Sequence, residues 1–404
     1  MDGNHGELHP TSKDYVTTGI PFIMASDIEN GCVNYSSCKY ITKETANTLR
    51  KGFAFKGDVL LTHKATIGRT AILKKLPTEF AMLTPQVTYY RIKKPSVLHP
   101  YYLKYYFDSP YFQTIIKQRA GAGSTRAYIG ILQQNELPIS YPKYEIQKQV
   151  VDVLKSLDDK IENNYYISTE LETMSKTIYD YWFVQFDFPD ENGKPYRTSG
   201  GEMVWNEQLK REIPKGWESG NLYNIADFIN GLACQKFRPK DGEKSLPVIK
   251  IKEMHDGITV ETEQVSENIP SKHKIFDGDI LFSWSATLEV MYWYGGSGGL
   301  NQHIFKVNPK SYFPKEYVYE QLRSYIVNFV KMAEARKTTM GHITTDHLEQ
   351  SKIPLPPESL LKQFAEKIRP IHLKIGQTKQ ENRELTKLRD WLLPMLMNGQ
   401  ARVE

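Results

Sequence analysis

The longest regular pattern in the chain runs from Glu145 to Trp182, a stretch without glycine or proline. Apolar residues recur there at 150, 154, 157 and 161, and again at 171, 174 and 178. Steps of four and three are the spacing of a coiled-coil seam. The same steps return at 364, 368, 371 and 375, then at 385, 388 and 392. The pattern predicts two long helices, each roughly 55–60 Å at about 1.5 Å per residue. Polar residues interrupt both seams at matching places, Asn164 and Ser168 in the first, Thr378 and Asn382 in the second. Polar seam positions cost stability but set register and partner. Helices of this length bury a stripe best against each other, so the expectation is a paired spacer, the alternative being that each helix lies on its own domain. Gly376 and Pro394 predict some irregularity in the second helix.

Each long helix follows a region of short apolar runs broken by Gly, Pro and Asn. DVLLT (58–62), QVTYYRI (86–92), DILFSW (279–284) and HIFKVN (303–308) read as strands. Residues 100–120 read as a helix with a break near Ser109-Pro110, and residues 314–337 as its counterpart. The class predicted is α+β.

The two regions are copies of one plan. Glu145–Trp182 and the segment from Ser359 align without a gap, with Lys148-Gln149 on Lys362-Gln363 and Leu154, Leu157 and Ile161 on Ile368, Ile371 and Ile375. Upstream, Leu137-Pro138-Ile139 meets Ile353-Pro354-Leu355, Thr125 meets Thr339 and Ile129 meets Ile343. Lys56-Gly57-Asp58-Val59-Leu60-Leu61 meets Asp277-Gly278-Asp279-Ile280-Leu281-Phe282, and Ile20-Pro21-Phe22-Ile23 meets Leu246-Pro247-Val248-Ile249. A period of roughly 200 residues is a duplicated domain and not a solenoid. Two similar readers held by one stiff spacer suit a split site on DNA, which presents a major groove every ~34 Å along one face.

Composition narrows the classes without choosing among them. The chain has 404 residues, 40% hydrophobic and 25% charged, which excludes disorder of the whole. Three cysteines, Cys32, Cys38 and Cys234, form no CxxC pair, so neither a disulfide scaffold nor a Cys-rich zinc site is expected and a reducing cytoplasm fits. No run reaches about 18 apolar residues, so no membrane span is expected, and the polar start shows no signal peptide. A net charge of +5 permits a nucleic-acid partner without demanding one. There is no GxxxxGK[ST] loop, no NPPY- or DPPY-type methyltransferase motif and no HExxH. The glycine run 295–299 reads as a hairpin or loop. Asp58 and Asp279, in matched Gly-Asp turns, read as turn-shaping residues.

With these features the chain resembles the specificity subunits of type I restriction–modification systems. The resemblance spans nearly the whole chain. It lies in the duplicated plan, the Gly-Asp-(Val/Ile)-Leu turn and strand, the (Leu/Ile)-Pro-(Ile/Leu) segment and the long helices. Phe186-Asp187-Phe188-Pro189, Asn192-Gly193-Lys194-Pro195-Tyr196 and Ile213-Pro214-Lys215-Gly216-Trp217 resemble the family's connector. The resemblance implies two homologous target recognition domains separated by two long helices forming an antiparallel coiled coil. It divides the chain into a short first recognition domain (1–144), a first spacer helix (145–184), a connector (185–216), a second recognition domain (217–357) and a second spacer helix (358–404). It implies double-stranded DNA, two methyltransferase subunits and motor-nuclease subunits as partners. It implies no cofactor and no catalytic residue in this chain: S-adenosylmethionine, ATP and Mg2+ belong to the partners, which methylate adenine N6 and cut unmodified DNA. The alternative is a stand-alone DNA-modifying or DNA-cleaving enzyme with an unrecognised motif. One departure stands out. Trp217 precedes Pro247, and no counterpart of that opening segment precedes Pro21, so either the chain starts inside its first domain or the architecture differs.

DNA contacts are expected from polar and basic residues in the divergent loops. In the first half these are Asn4, His5, Thr62, His63, Lys64, Arg69, Arg119, Ser124, Thr125 and Arg126. In the second half they are Lys236, Arg238, Ser283, Trp284, Arg336, Lys337, Thr338 and His342. Asn4 and His5 are included because Asp2-Gly3-Asn4-His5-Gly6 resembles a segment of the family's DNA-facing region.

Overall fold

The computed structural model describes residues 1–4, 6, 8–121, 127–285, 287–335, 343 and 345–403. The chain forms two compact units, Met1–Lys160 with Leu385–Glu404, and Ile161–Glu384. Each long helix contributes a segment to each unit.

In the first unit β1 (Ile20–Ile23), β2 (Val59–Lys64), β3 (Thr66–Ile72), β4 (Ala81–Leu83) and β5 (Val87–Tyr90) build two sheets. β1 lies between the strand Lys39–Ile41 and β4, pairing parallel with β4 through Phe22↔Met82 and Ile23↔Leu83. β5, β2 and β3 form an antiparallel sheet. Its inner face packs on α1 (Pro100–Asp108) and α2 (Pro110–Arg119), where Leu103, Phe107, Phe112 and Ile116 are buried with Val59 and Leu61. The break foreseen at Ser109-Pro110 is real. The Ser109 hydroxyl accepts from the Phe112 amide and caps α2, and Pro110 takes its first turn, where a missing N–H costs nothing. α3 (Ile131–Asn135) precedes α4 (Tyr144–Tyr179).

The second unit repeats this plan and adds to it. β6 (Glu218–Asn221), the helical turn α5 (Leu222–Ile225) and β7 (Ala226–Asn230) come first. Then follow β8 (Ser245–Ile249), β9 (Ile280–Ser283), β10 (Glu289–Tyr292), β11 (Gly298–Leu300) and β12 (Ile304–Pro309). Next are α6 (Lys315–Ala335), α7 (Thr345–Glu349), β13 (Lys352–Leu355) and α8 (Glu358–Met397). β8 pairs parallel with β11, as β1 does with β4. β7, β12, β9 and β10 form the sheet corresponding to β5, β2 and β3. The glycine run ends inside β11: a Cβ on Gly299 would sit 2.5 Å from Val265, so a strand passes here only without a side chain. The connector closes on itself, with the Phe188 ring stacked on Tyr196 and Trp217 and Asp187 accepting from the amide and hydroxyl of Thr198.

The two long helices pack on each other in both units, and their partners descend in number as the first climbs, which is antiparallel packing. In the first unit Val150, Val151 and Leu154 of α4 are buried with Leu393 and Leu396 of α8. Asp158 there accepts from Arg389 (3.0 Å) and from the Tyr105 hydroxyl (2.8 Å), with Lys104 3.3 Å away. In the second unit Asn382 donates to the Ile161 carbonyl (3.1 Å) and Asn164 to Glu381 (2.7 Å). Ser168 meets Thr378 (2.6 Å), Lys379 meets Glu172 (2.7 Å), and Ser175 meets the His372 ring (2.9 Å). His372 also reaches Glu320 and the Tyr292 hydroxyl, tying α8 to the second domain.

One part of the expected seam is displaced. Met174, 53% exposed, and Leu388, 42% exposed, do not line the contact, whereas Ile178 packs against the core that holds Phe364 and Ile368, and Leu392 against the one that holds Val150, Val151 and Leu154. The helices instead bury Ser168, Ser175 and Tyr179 in one copy and Leu393 in the other. Hydrogen bonding satisfies the serines, so polar residues share the contact with apolar ones.

Candidate nucleic-acid interface

The corresponding sheets start from the same turn. In the first unit Gly57 takes a left-handed φ of 92° and the Asp58 carboxylate accepts from the Phe55 amide (2.8 Å) and from Arg91 (2.7 Å). In the second Gly278 has φ 86°, and Asp279 accepts from the Phe276 amide (2.8 Å) and from Lys306 (2.8 Å). Both aspartates therefore hold the turn that launches β2 and β9.

At the far end of those strands the frames still coincide and the side chains do not. The His63 amide donates to the Gln86 carbonyl (3.0 Å), and its own carbonyl accepts from Ile129 (3.1 Å). The Trp284 amide donates to the His303 carbonyl (3.3 Å), and its carbonyl accepts from Ile343 (2.9 Å). His63 and Trp284 thus occupy one position in two copies of one scaffold. The His63 ring is buried against Tyr128, with Nδ1 3.0 Å from the Ile129 carbonyl. Trp284 is partly exposed; its indole N–H donates to Asn230 (3.2 Å), and its ring lies 5.6 Å from that of His303.

The remaining candidates divide by burial. Thr62 is buried and its hydroxyl accepts from the Arg69 amide (2.9 Å). Ser283 is buried and donates to the Thr287 carbonyl, while Asn4 is buried with its carbonyl 3.2 Å from the His9 ring. These side chains shape the strand ends from beneath. Lys64, Arg69, Lys236 and Arg238 are exposed. Arg69 donates to the Ile28 carbonyl (3.3 Å), which steers its guanidinium, and Lys236 closes the short turn Cys234–Lys236. Arg119 is exposed at the end of α2 and donates to the Glu136 carbonyl (3.4 Å). His5, Ser124, Thr125, Arg126, Arg336, Lys337, Thr338 and His342 lie outside the described residues.

Residues missed by sequence reading stand beside Trp284: Asn230, Gln302 and His303. Asn230 is carried on β7, whose counterpart the alignment of the halves did not find. A two-residue match could have found it, since Gly3 follows Asp2 as Gly231 follows Asn230. A Cβ on Gly3 would lie 1.9 Å from the Leu83 carbonyl oxygen, and one on Gly231 2.1 Å from that of Asn301. Both glycines exist for the same close approach of backbone.

Comparison with known proteins bears directly on these paired frames. The type I restriction modification DNA specificity domain matches twice, over residues 4–173 and 214–387. The chain belongs to this family. A type I specificity subunit, MjaIX of Methanocaldococcus jannaschii, is 27% identical over 405 residues, covering 97% of this chain and 89% of the relative. The HindI specificity subunit of Haemophilus influenzae is 26% identical over 342 residues, covering 72% of this chain and 74% of the relative. The crystal structure of the type I restriction–modification S subunit from M. genitalium superposes with a TM-score of 0.53 at 16% identity, covering 98% of this chain and 92% of that one. It has the same fold. The expected specificity-subunit architecture, two recognition domains and a pair of long helices, is therefore the architecture of this family member. Among the described residues no helix is long and apolar enough to cross a membrane.

Proposed function

We propose that this chain reads a bipartite double-stranded DNA site and positions the enzymes of a type I restriction–modification complex on it. The observation that carries this reading is the coincidence of frame and divergence of side chain at His63 and Trp284. One scaffold holding two different strand-end residues is what two sequence readers of unlike specificity require. The recognition domains are 1–144 and 217–357, the spacer helices 145–184 and 358–404, and the connector 185–216. Exposed Lys64, Arg69, Arg119, Lys236 and Arg238 are assigned to the phosphates. Trp284 faces the bases. Asn4, Thr62, His63 and Ser283 act from below by shaping the loops. His5, Ser124, Thr125, Arg126, Arg336, Lys337, Thr338 and His342 are proposed as further contacts from the sequence alone.

Two methyltransferase subunits and motor-nuclease subunits complete the assembly in the cytoplasm. Adenine-N6 methylation with S-adenosylmethionine, and ATP- and Mg2+-dependent cleavage, fall to them and not to this chain. The test is a methylome. The chain is expressed with its neighbouring genes in a methylation-free host, and modified adenines are mapped with and without it. A split motif that vanishes with this chain is the expected result. Methylation or cleavage by the purified chain alone, given methyl donor or Mg2+, would overturn the reading in favour of a stand-alone enzyme.

A further inference from the structure

In the gapless alignment of the two spacer helices, Asp158 falls on His372 and Ser175 on Arg389. These four residues make two contacts. Asp158 accepts from Arg389 (3.0 Å) in the first unit, and Ser175 meets His372 (2.9 Å) in the second. Each contact is the other's image with the two helices exchanged. A helix of each recognition domain completes it at the same place. Tyr105 and Glu320 both stand five residues after the start of their helices, α1 and α6, and each is 1% exposed. The Tyr105 hydroxyl donates to Asp158 (2.8 Å). Glu320 lies 3.2 Å from the His372 ring and accepts from the Ser175 hydroxyl (2.5 Å).

The place is kept and the chemistry is reversed. In the first unit the spacer supplies the carboxylate and the domain a hydroxyl. In the second the domain supplies the carboxylate, and the spacer a hydroxyl and an imidazole. Two unlike solutions at one place show that the place calls for a directional bond, whichever side donates. Gln147 behaves differently: buried, it holds the His99 amide (2.9 Å) and the Val97 carbonyl (2.9 Å), yet its counterpart is Leu361, part of an apolar core.

Both central side chains are gripped at two atoms. Asp158 takes Arg389 on Oδ1 and Tyr105 on Oδ2. His372 has Glu320 and Ser175 at Nε2, and the Tyr292 hydroxyl 3.2 Å from Nδ1. The packing around them is apolar, with Tyr102, Leu154 and Leu393 in the first unit and Tyr317, Phe364 and Ile368 in the second. Apolar burial is non-directional and lets packed helices slide by small amounts. Hydrogen bonds to a charged group fix an angle as well as a distance. A DNA spacer longer by one base pair moves a half-site by about 3.4 Å and turns it by about 35°. Fidelity to one spacer therefore needs a seat that is stiff in both senses.

We propose that Tyr105–Asp158–Arg389 and Glu320–His372–Ser175 are positioning joints. Each fixes the turn of its own recognition domain on the helix pair, and together they hold the complex to one length of unread DNA between its half-sites. The inference rests on the specificity-subunit reading and names residues that neither touch DNA nor catalyse. With a joint loosened, the domain still reads its bases but accepts a half-site one base pair nearer or farther.

The test uses the full chain in its complex, in a methylation-free host. Methylated adenines are mapped in motifs of the parent spacer and of spacers one base pair longer or shorter. Tyr105→Phe removes one hydroxyl and keeps the ring, and Ser175→Ala removes the hydroxyl at the other joint. Each raises methylation at off-length sites, relative to parent-length sites, by about tenfold, the worth of about one hydrogen bond to a charged group. The double variant raises it by about the product, because the joints lie in separate units. Leu154→Ala is the control: it lowers the unfolding temperature more than Tyr105→Phe does and leaves the spacer unchanged. Relaxed spacing in Leu154→Ala but not in Tyr105→Phe would overturn the proposal. So would one sharp spacer length in both hydroxyl variants, and the specificity-subunit reading would then still stand. A parent chain that gives no split motif would overturn that reading and this inference together.

Discussion

At the scale of single residues, Asp158 joins three elements of the first unit. Burial opposes its charge, but Lys104 and Arg389 outweigh that and, with the Tyr105 hydroxyl, hold its carboxyl below the usual aspartate value. A depressed acid stabilises the fold fully above its unfolded value of about 3.9. That contribution is lost as the pH falls through the lower folded value. Asp158→Asn should cost about 1–3 kcal/mol at neutral pH, since Lys104 keeps Asp108 and Arg389 keeps Asp390 but each loses one carboxylate partner, and should flatten the acid limb of stability below about pH 4. Urea unfolding of the first unit across pH 2–7 would check both, the range being set about that value. Gly3 and Gly231 make a paired prediction. With carbonyl oxygens 1.9 Å and 2.1 Å from the missing Cβ, Gly3→Ala and Gly231→Ala should each destabilise their own unit by about 1–3 kcal/mol. Equal stability of variant and parent would show that the backbone approach is not required. The sequence displayed both glycines but not their equivalence, because the backbone that demands them comes from Leu83 and Asn301, distant in the chain.

At the scale of elements, the strands were legible because their apolar runs are short, bounded by Gly-Asp turns and buried on both faces. The break between α1 and α2 was legible because Ser-Pro carries both a cap and a missing amide. The first half of the helix seam was legible too: Leu154 is fully buried beside α8. The second half was legible only in part, since Ile178 and Leu392 pack as expected and Met174 and Leu388 do not. Apolar periodicity marks a stripe without saying what faces it, and here Ser168 and Ser175 are buried through partners that no local pattern reveals. The consequence is measurable. Leu154→Ala should cost about 2–5 kcal/mol, whereas Met174→Ala should change stability by less than about 0.5 kcal/mol. A large loss at Met174 in thermal or denaturant unfolding would restore the simple periodic seam.

At the scale of the whole molecule, duplication makes the halves separable in function. Exchanging residues 217–357 for the corresponding domain of a relative should alter one half of the methylated motif and leave the other unchanged; alteration of both halves would count against independent reading. Removing the charge of Lys64 or Arg69 should lower the slope of log affinity against log salt by about 0.9 for each phosphate no longer neutralised. Titrations of DNA binding at several salt concentrations would measure it. The sequence by itself determined the duplicated α+β plan, the long helices and the family, because turns, caps and periodicity are local and a repeat can be read against itself. Only the tertiary structure decided which candidates reach the surface, that His63 and Trp284 share one position, and which stripe the helices bury. Those properties depend on backbone partners far apart in the chain, and no spacing along the sequence encodes what lies on the other side of a side chain.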